Sequence, residues 1–525
     1  MKWEDVLKEF SLDFLKKREQ KEGFDASKHS FYIHDPEMQY LSTLLTGYVT
    51  DFYYMKPIEV FQLGAILHKY IIQKDPEYHL DSIKVARDLT SMKDQVIIGV
   101  LTWTRHNDRN KYFDDLVELL ATFPPNQIVK KFINTKRTLR ELFGGYSTFD
   151  KRLISAVYEK WKEQGKIEYY FAKYRRYMQQ LINVTHIKVD PKEFSYLSNP
   201  TKYNGESEYL RKISEFFKTK DISVLPDKAP FELVRSNIKK SDWTLDILDK
   251  CDLTGNTIVL QACSLYEQFG SKILPFVKRA VTTKTVTADK ILKALIASAI
   301  KGYKDLTKEL AKAYTEKVTE TYKQLILPLP EFPRISLVLD ASGSMEVSRL
   351  DGMFMKALSS VAPFAPLVKK LILFSDDAHY EDEKLLRSWD GLIELINIAK
   401  RKYDHGTNIA DGLALAYEDV KTGEIDTVIL VTDEQANIVG RRYYRETEME
   451  LIRKILDKGA KVVVLNPTPY PVRITDISEK RLIYIPAPNP EGVVAAIKLI
   501  QLRKELQKAS AKEIILKLKA KVKSR

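Results

Sequence analysis

The sequence predicts a chain in two parts, an α-helical repeat region followed by an α/β domain on a parallel sheet. Three observations predict this. Up to about residue 325 the apolar positions recur at helical spacing, with no convincing strand alternation. Three prolines, Pro328, Pro330 and Pro333, then fall within six residues and break the pattern. Beyond them, short apolar runs alternate with helical stretches, the signature of strands buried on both faces.

In the first part, 150–165 is representative. Leu153, Ile154, Val157, Tyr158 and Trp161 form one helical stripe, and Gly165 is a stop signal. Similar stripes run through 169–184, 207–219 and 288–303. Turn signals separate them, including FPPNQ at 123–127, GG at 144–145 and NG at 204–205. Many helices with short links suggest a solenoid of helical repeats. In the second part, apolar runs that read as strands are ISLVLD (335–340), LVKKLILFSDD (367–377), DTVILVTDE (426–434), KVVVLNP (461–467) and RLIYIP (481–486). Helices are expected at about 351–360, 388–402, 408–419, 443–458 and 491–507. The domains are therefore read as 1–328, 332–500 and a basic tail, 501–525.

Composition narrows the class. The 525 residues, 44% hydrophobic and 30% charged, are too many for one ordinary domain and apolar enough for real cores. Two cysteines, Cys251 and Cys263, make no disulfide framework or metal-ligand spacing and are read as core residues. No apolar run approaches the ~18 residues of a membrane span, so a soluble, cytoplasmic protein without a membrane partner is expected. The net charge of +13 is uneven: +10 over 1–330, −4 over 331–500 and +7 over 501–525. A basic helical part and tail suit an anionic partner, nucleic acid first. Lysine enrichment with few cysteines also fits a thermophile. The tail suits an amphipathic helix packed on the body or an RNA-binding arm.

In a parallel sheet the ligand site lies beyond the carboxyl ends of the strands. Those ends read Asp340, 375–377 and 432–433. The first continues as Asp340-Ala341-Ser342-Gly343-Ser344, one carboxylate and two hydroxyls in a strand-to-helix turn. His405-Gly406-Thr407-Asn408 precedes a helix, and Thr432-Asp433-Glu434 follows a strand. All are hard oxygen donors, suited to Mg²⁺, Mn²⁺ or Ca²⁺. Asp340 and Ser342 could alternatively be plain helix caps. No companion base or nucleophile is evident, so a binding module is expected rather than an enzyme.

The three loops resemble the metal-ion-dependent adhesion site of von Willebrand factor A domains over about 331–500. The resemblance implies metal ligation by Asp340, Ser342, Ser344, Thr407 and Asp433, Mg²⁺ being the first candidate, with Asp376 and Asp377 flanking. A helical region ahead of such a domain resembles the TROVE family, the Ro ribonucleoproteins. Segments 144–165, 171–188 and 287–303 carry that likeness.

The resemblance implies a HEAT-like helical ring joined to a doubly wound, Rossmann-like A domain, acting as a monomer. It implies binding of small noncoding, Y-like RNAs and of the 3′ ends of misfolded RNAs, in RNA stabilisation or quality control. A 3′ exonuclease is an implied partner. The matching RNA-contact positions are Lys173, Arg176 and His186, with Arg175 and Lys188 as neighbours and Lys136, Arg137 and Arg140 as a second cluster. The loop before His186 is shorter than the family's. Lys173, Arg176, Tyr177 and Gln180 would share one helix face. The rival reading is an adhesion-type scaffold whose metal site grips a protein partner.

Overall fold

The structure, a computed structural model, describes residues 36–46, 57–89, 93–402, 406–434, 447–467, 482–486 and 490–523. They fall into two compact units. One contains Val60–Ile258 and Glu267–Gly270; the other contains Met1–Glu59, Val259–Tyr266 and Ser271–Arg525. The helices expected at 207–219 and 288–303 are present as Glu208–Thr219 and Ala288–Ile300.

The Val60–Ile258 unit is built of helices, and its one β feature among the described residues is the isolated bridge Ala229–Cys251. Helix Thr148–Glu163 starts with a reciprocal capping box between Ser147 and Asp150. It buries the expected stripe, with Leu153, Ile154, Val157 and Trp161 fully inside. At 125–138 the helix contains a π-helical stretch, Ile128–Ile133, whose wider turn resets which residues face inward. The glycine pair at 144–145 makes a tight turn. Gly144 has φ +64°, and the Arg105 guanidinium lies where a Cβ would stand. Arg105 donates to the carbonyls of Phe143 (2.7 Å) and Gly145 (2.9 Å), so only glycine fits there.

The stripe at 169–184 is two helices, Ile167–Lys173 and Arg175–Thr185, because the backbone leaves helical values at Tyr174 (φ −119°, ψ 31°). Tyr174 packs edge-on to Tyr170, which packs on Trp161. The expected continuous face through Lys173 and Gln180 is thereby interrupted.

In the other unit, six strands form one sheet in the order β3-β2-β1-β4-β5-β6. These are β1 Ile335–Asp340, β2 Val368–Phe374, β3 Ala378–Glu381, β4 Thr427–Val431, β5 Lys461–Asn466 and β6 Leu482–Pro486. All pair in parallel except β3, which runs antiparallel to β2 at the edge. The sheet is therefore mixed, not wholly parallel. β3 (AHYE) escaped notice because an exposed edge strand needs no apolar run. Val338, Ile372, Phe374, Leu430 and Val464 pack under helices Ile409–Lys421 and Glu448–Asp457. Leu337, Leu339, Leu373 and Leu465 point to the opposite face and are equally buried. Residues 443–446 of the helix expected at 443–458 lie outside the described residues.

The proline segment is fastened down. The Leu327 amide donates to Gln501 Oε1 (3.1 Å), and Gln501 Nε2 donates back to the Glu331 carbonyl (3.3 Å). Helix Lys304–Leu325 belongs to the same unit, and its buried Tyr314 hydroxyl donates to the Leu386 carbonyl (3.0 Å). Residues 501–506 complete helix Pro490–Leu506, which also meets helix Pro36–Thr46. The basic end forms helix Ala511–Lys523, anchored by buried Ile514, Ile515 and Leu518, while Leu516 faces out. No helix among the described residues is long and apolar enough to cross a membrane.

Candidate metal centre and nucleic-acid interface

The strand order switches direction between β1 and β4, leaving a crevice at their carboxyl ends. Asp340 closes β1 there and is fully buried. One of its oxygens accepts the Ser342 amide (2.9 Å) and the other accepts the Thr432 hydroxyl (2.7 Å). Ser342 and Ser344 have their hydroxyls 3.1 Å apart, with Ser344 facing out. Asp433 is buried beside Thr432. Burial, together with the nearby Asp433 carboxylate, raises the Asp340 carboxyl to about 6 despite those hydrogen bonds.

The Thr407 loop reaches the same rim through β2. The Asn408 amide donates to the Ser375 carbonyl (2.6 Å), and its side chain donates to the Asp376 carbonyl (3.2 Å). The Asp376 carboxylate accepts the Gly406 amide (2.9 Å). Ala341, next to Asp340, donates to the Phe374 carbonyl (2.9 Å). Thus hydrogen bonds tie the loops of Asp340, Thr407 and Asp433 into one edge, with Thr407 buried. Asp376 serves as a strut of the 406–408 loop. His405 lies outside the described residues.

Sequence reasoning missed Thr432 as the residue that orients Asp340. Its place, one residue before Asp433 at a strand end, was the available signal. Glu434, next in the same segment, has φ +60° and accepts from Asn466 Nδ2 (2.8 Å). Two buried carboxylates share the rim with hydroxyls, a set of hard oxygen donors of the kind that suits a divalent ion, and the buried Asp340 carboxyl is held high where a cation would lower it.

The basic residues divide. Lys136 corrects the sequence reading: its side chain is fully buried, with Nζ 2.5 Å from Asp150 and 2.7 Å from the Thr104 hydroxyl. The π-turn that precedes it faces it inward, so it reaches no phosphate at the surface. Burial lowers its ammonium to about 8 even beside Asp150. Arg137 and Arg140 are exposed.

Lys173 is half-buried, donating to the Tyr169 hydroxyl (2.9 Å) and pairing with Glu232 at 3.4 Å. Arg175 and Arg176 open helix Arg175–Thr185, whose N-terminus has no side-chain cap, and Arg176 is exposed. Lys130, on the π-helical stretch Ile128–Ile133, sits 5.3 Å from the Tyr177 ring centroid, so that stretch meets this helix start. His186, exposed with φ +59°, ends the same helix, about 15 Å away at 1.5 Å per residue. Lys188 follows it, also exposed.

Residues 312–475 match the family model described as VWA domain containing CoxE-like protein. No curated protein matches the chain in sequence. Among solved structures, the RO (RSR) protein of Deinococcus radiodurans matches with a TM-score of 0.64, over 90% of this chain and 100% of that one, at 14% identity. The fold is that of a Ro protein. An aerotolerance-related membrane protein of Bacteroides fragilis also matches, at 18% identity over 32% of this chain and 98% of its own, with a TM-score of 0.24 that supports no inference. The Ro architecture accounts for a mostly helical N-terminal region followed by a von Willebrand A domain on a mixed six-stranded sheet.

Proposed function

We propose that this chain is a Ro-like RNA-binding protein without catalysis of its own. Its RNAs would be small structured, Y-like noncoding RNAs and the 3′ ends of misfolded RNAs, in stabilisation or quality control. A 3′ exonuclease would be a further partner. The observation that carries the reading is the start of helix Arg175–Thr185. There an uncapped helix N-terminus, Arg175, the exposed Arg176, and the Lys130–Tyr177 pair come together. Free amides and guanidinium groups attract phosphate, and a tyrosine offers a face for a base. Arg137 and Arg140 add exposed positive charge to the same unit.

Asp340, Ser342, Ser344, Thr407 and Asp433 would hold a divalent ion, Mg²⁺ first. When bound, such an ion supplies an open position for an acidic oxygen from a partner. Asp340 and Asp433 bring the charge, Thr432 orients Asp340, and Asp376 steadies the loop that bears Thr407.

The test is RNA retention. Protein purified without nuclease should carry RNA at low salt and lose it at high salt, read from the absorbance ratio and from extracted RNA. Absence of RNA, with no binding of a structured RNA in vitro at low salt, would leave the adhesion-type scaffold as the better reading.

A further inference from the structure

Five arginines gather round the segment 144–149 of the Val60–Ile258 unit. Arg105 fills the place of a Gly144 side chain and donates to the carbonyls on either side of it. Arg140 lies against Gly145, its Nε 3.3 Å from where a Cβ would stand. Arg109 and Arg152 both sit on the Phe149 ring, their Cζ atoms 5.2 and 5.4 Å from its centroid. Arg152 is also 4.7 Å from the Phe113 centroid. Arg137 is close enough to Tyr146 to oppose the rise that burial gives its phenol. Among the described residues none of the five pairs with a carboxylate, whereas Arg334, Arg349, Arg387 and Arg401 all do. Asp150, the carboxylate that follows the segment, is spent on Lys136 and on the Ser147 amide and hydroxyl.

Like charges held this close repel one another. The fold keeps them in place by means that use few of their donors. Arg109 gives one nitrogen to the Thr104 carbonyl (3.3 Å), and Arg152 gives one to Asn110 Oδ1 (2.6 Å). A ring contact fixes a guanidinium by its flat face and leaves its N–H edge open. A second, independent observation lies in the segment itself. The backbone amides of Gly144, Gly145 and Tyr146 donate to no acceptor among the described residues. The Tyr146 hydroxyl is buried and likewise has no partner among them. Unused donors ringed by unpaired cations suit an anion with several oxygens.

We propose that this turn binds a compact polyphosphate group. Arg109, Arg137, Arg140 and Arg152 would take phosphoryl oxygens on their N–H forks, while Arg105 keeps the glycine turn in shape. The amides of Gly144, Gly145 and Tyr146 and the Tyr146 hydroxyl are the remaining donors. An internal phosphodiester carries one charge, and its neighbours are strung out along the strand. A terminal polyphosphate packs several charges into one place, as the five guanidiniums do. An acidic peptide matches less well, because each of its carboxylates carries one charge on its own side chain. The group has two sources, a free nucleoside triphosphate and the 5′-triphosphate of an RNA, and the chemistry recognised is the same. Only the second source rests on the RNA reading given above. With it, the protein would tell an RNA that keeps its first phosphates from one that begins in a hydroxyl.

Calorimetry of the full, nuclease-treated chain in Mg²⁺-free buffer tests it. The probes are inorganic tripolyphosphate, ATP, and one RNA oligonucleotide made with a 5′-triphosphate or a 5′-hydroxyl. Tripolyphosphate should bind with one site per chain and weaken as salt rises. ATP binding as tightly as tripolyphosphate identifies a free nucleotide as the source. A triphosphate RNA bound at least tenfold tighter than its hydroxyl twin identifies an RNA end. Arg109→Gln with Arg152→Gln should weaken tripolyphosphate binding about tenfold or more, the value of losing charge-assisted hydrogen bonds. Arg137→Gln with Arg140→Gln, both exposed, reads the same loss should the first pair fail to fold. Arg235→Gln, an exposed arginine on helix Phe231–Asn237, should change nothing. The proposal is overturned if tripolyphosphate does not bind, if a tetraglutamate peptide binds as tightly, or if the double variants bind no more weakly than Arg235→Gln. The RNA reading fails separately, if the hydroxyl RNA and a structured RNA both go unbound while tripolyphosphate binds.

Discussion

The strand-end rim and the basic surface of the Val60–Ile258 unit place their polar side chains by different means. At the rim the backbone decides. A strand that ends at Asp340 beside one that ends at Val431 delivers its carboxylate to the crevice, and hydrogen bonds from Thr432 and Ser342 hold it there. On the helical surface, packing decides. Lys136 and Arg137 are neighbours in sequence, yet one is sealed against Asp150 and the other is in solvent. Lys173 and Arg176 look like one stripe, yet a break at Tyr174 ties the first to Tyr169 and frees the second. A short motif can therefore specify a rim, while a run of basic residues cannot specify which of its members meets a ligand.

Four experiments sharpen or break that contrast. The largest effect is expected at Asp340. Asp340→Asn should abolish divalent-ion binding by calorimetry; stoichiometric Mg²⁺ binding by the variant would remove the rim assignment. The same change has a pH signature. The Asp340 carboxyl, raised to about 6, stands above its unfolded value of ~3.9. The ion-free fold therefore binds more protons than the unfolded chain between those values, and stability falls as pH rises through that window. Asp340→Asn should flatten this slope in denaturant titrations, and added Mg²⁺ should offset it in the parent only.

Next comes Lys136. Lys136→Ala leaves Asp150 buried without its cation and should cost about 3–5 kcal/mol in chemical denaturation. Arg137→Ala should stay within about 0.5 kcal/mol. Equal effects would contradict the division between buried and exposed charge.

A third effect comes from the buried histidines His68 and His79, whose rings are 2.8 Å apart at Nδ1 and Nε2. Burial lowers His68 to about 3 and His79 well below its usual value. The unfolded chain takes up protons first as pH falls below ~6.5, so this unit should lose roughly 1.4 kcal/mol per pH unit for each histidine. His68→Gln should reduce that acid slope in thermal melts; an unchanged slope would place the sensitivity elsewhere.

The smallest effect is at the surface. Arg176→Ala should weaken RNA binding and reduce its dependence on log salt by about 1, with stability unchanged. Lys173→Ala should act instead mainly on stability, through Tyr169 and Glu232. An unchanged salt slope for Arg176→Ala would remove the helix start from the interface.

Much of this was legible in the sequence, for physical reasons. Buried strands such as Ile335–Asp340 read as continuous apolar runs, and the helix at Thr148–Glu163 carries its cap and its stop. Both rim carboxylates sit where strands end, so their convergence follows from topology. What escaped had no local signal. The edge strand Ala378–Glu381 has no apolar run. The π-turn at Ile128–Ile133 shifts the inward face by a fraction of a turn that no spacing reveals. The break at Tyr174 arises from aromatic contacts with Tyr170, itself on Trp161. Thr432 was in view, but its bond to Asp340 bridges ninety-two residues of sequence.

Helix Pro36–Thr46 lies against helix Pro490–Leu506, at the far end of the chain. During synthesis the Val60–Ile258 unit has all its own residues once the segment to Gly270 has emerged, and it can fold while the rest is still being made. The sheet-bearing unit has no such option. Its earliest described helix, Pro36–Thr46, must wait, with Leu41, Leu44 and Leu45 uncovered, until helix Pro490–Leu506 has left the ribosome. Helix Pro36–Thr46 is thus made long before the residues it packs against, and an apolar face stays open for a chaperone to cover in the interval.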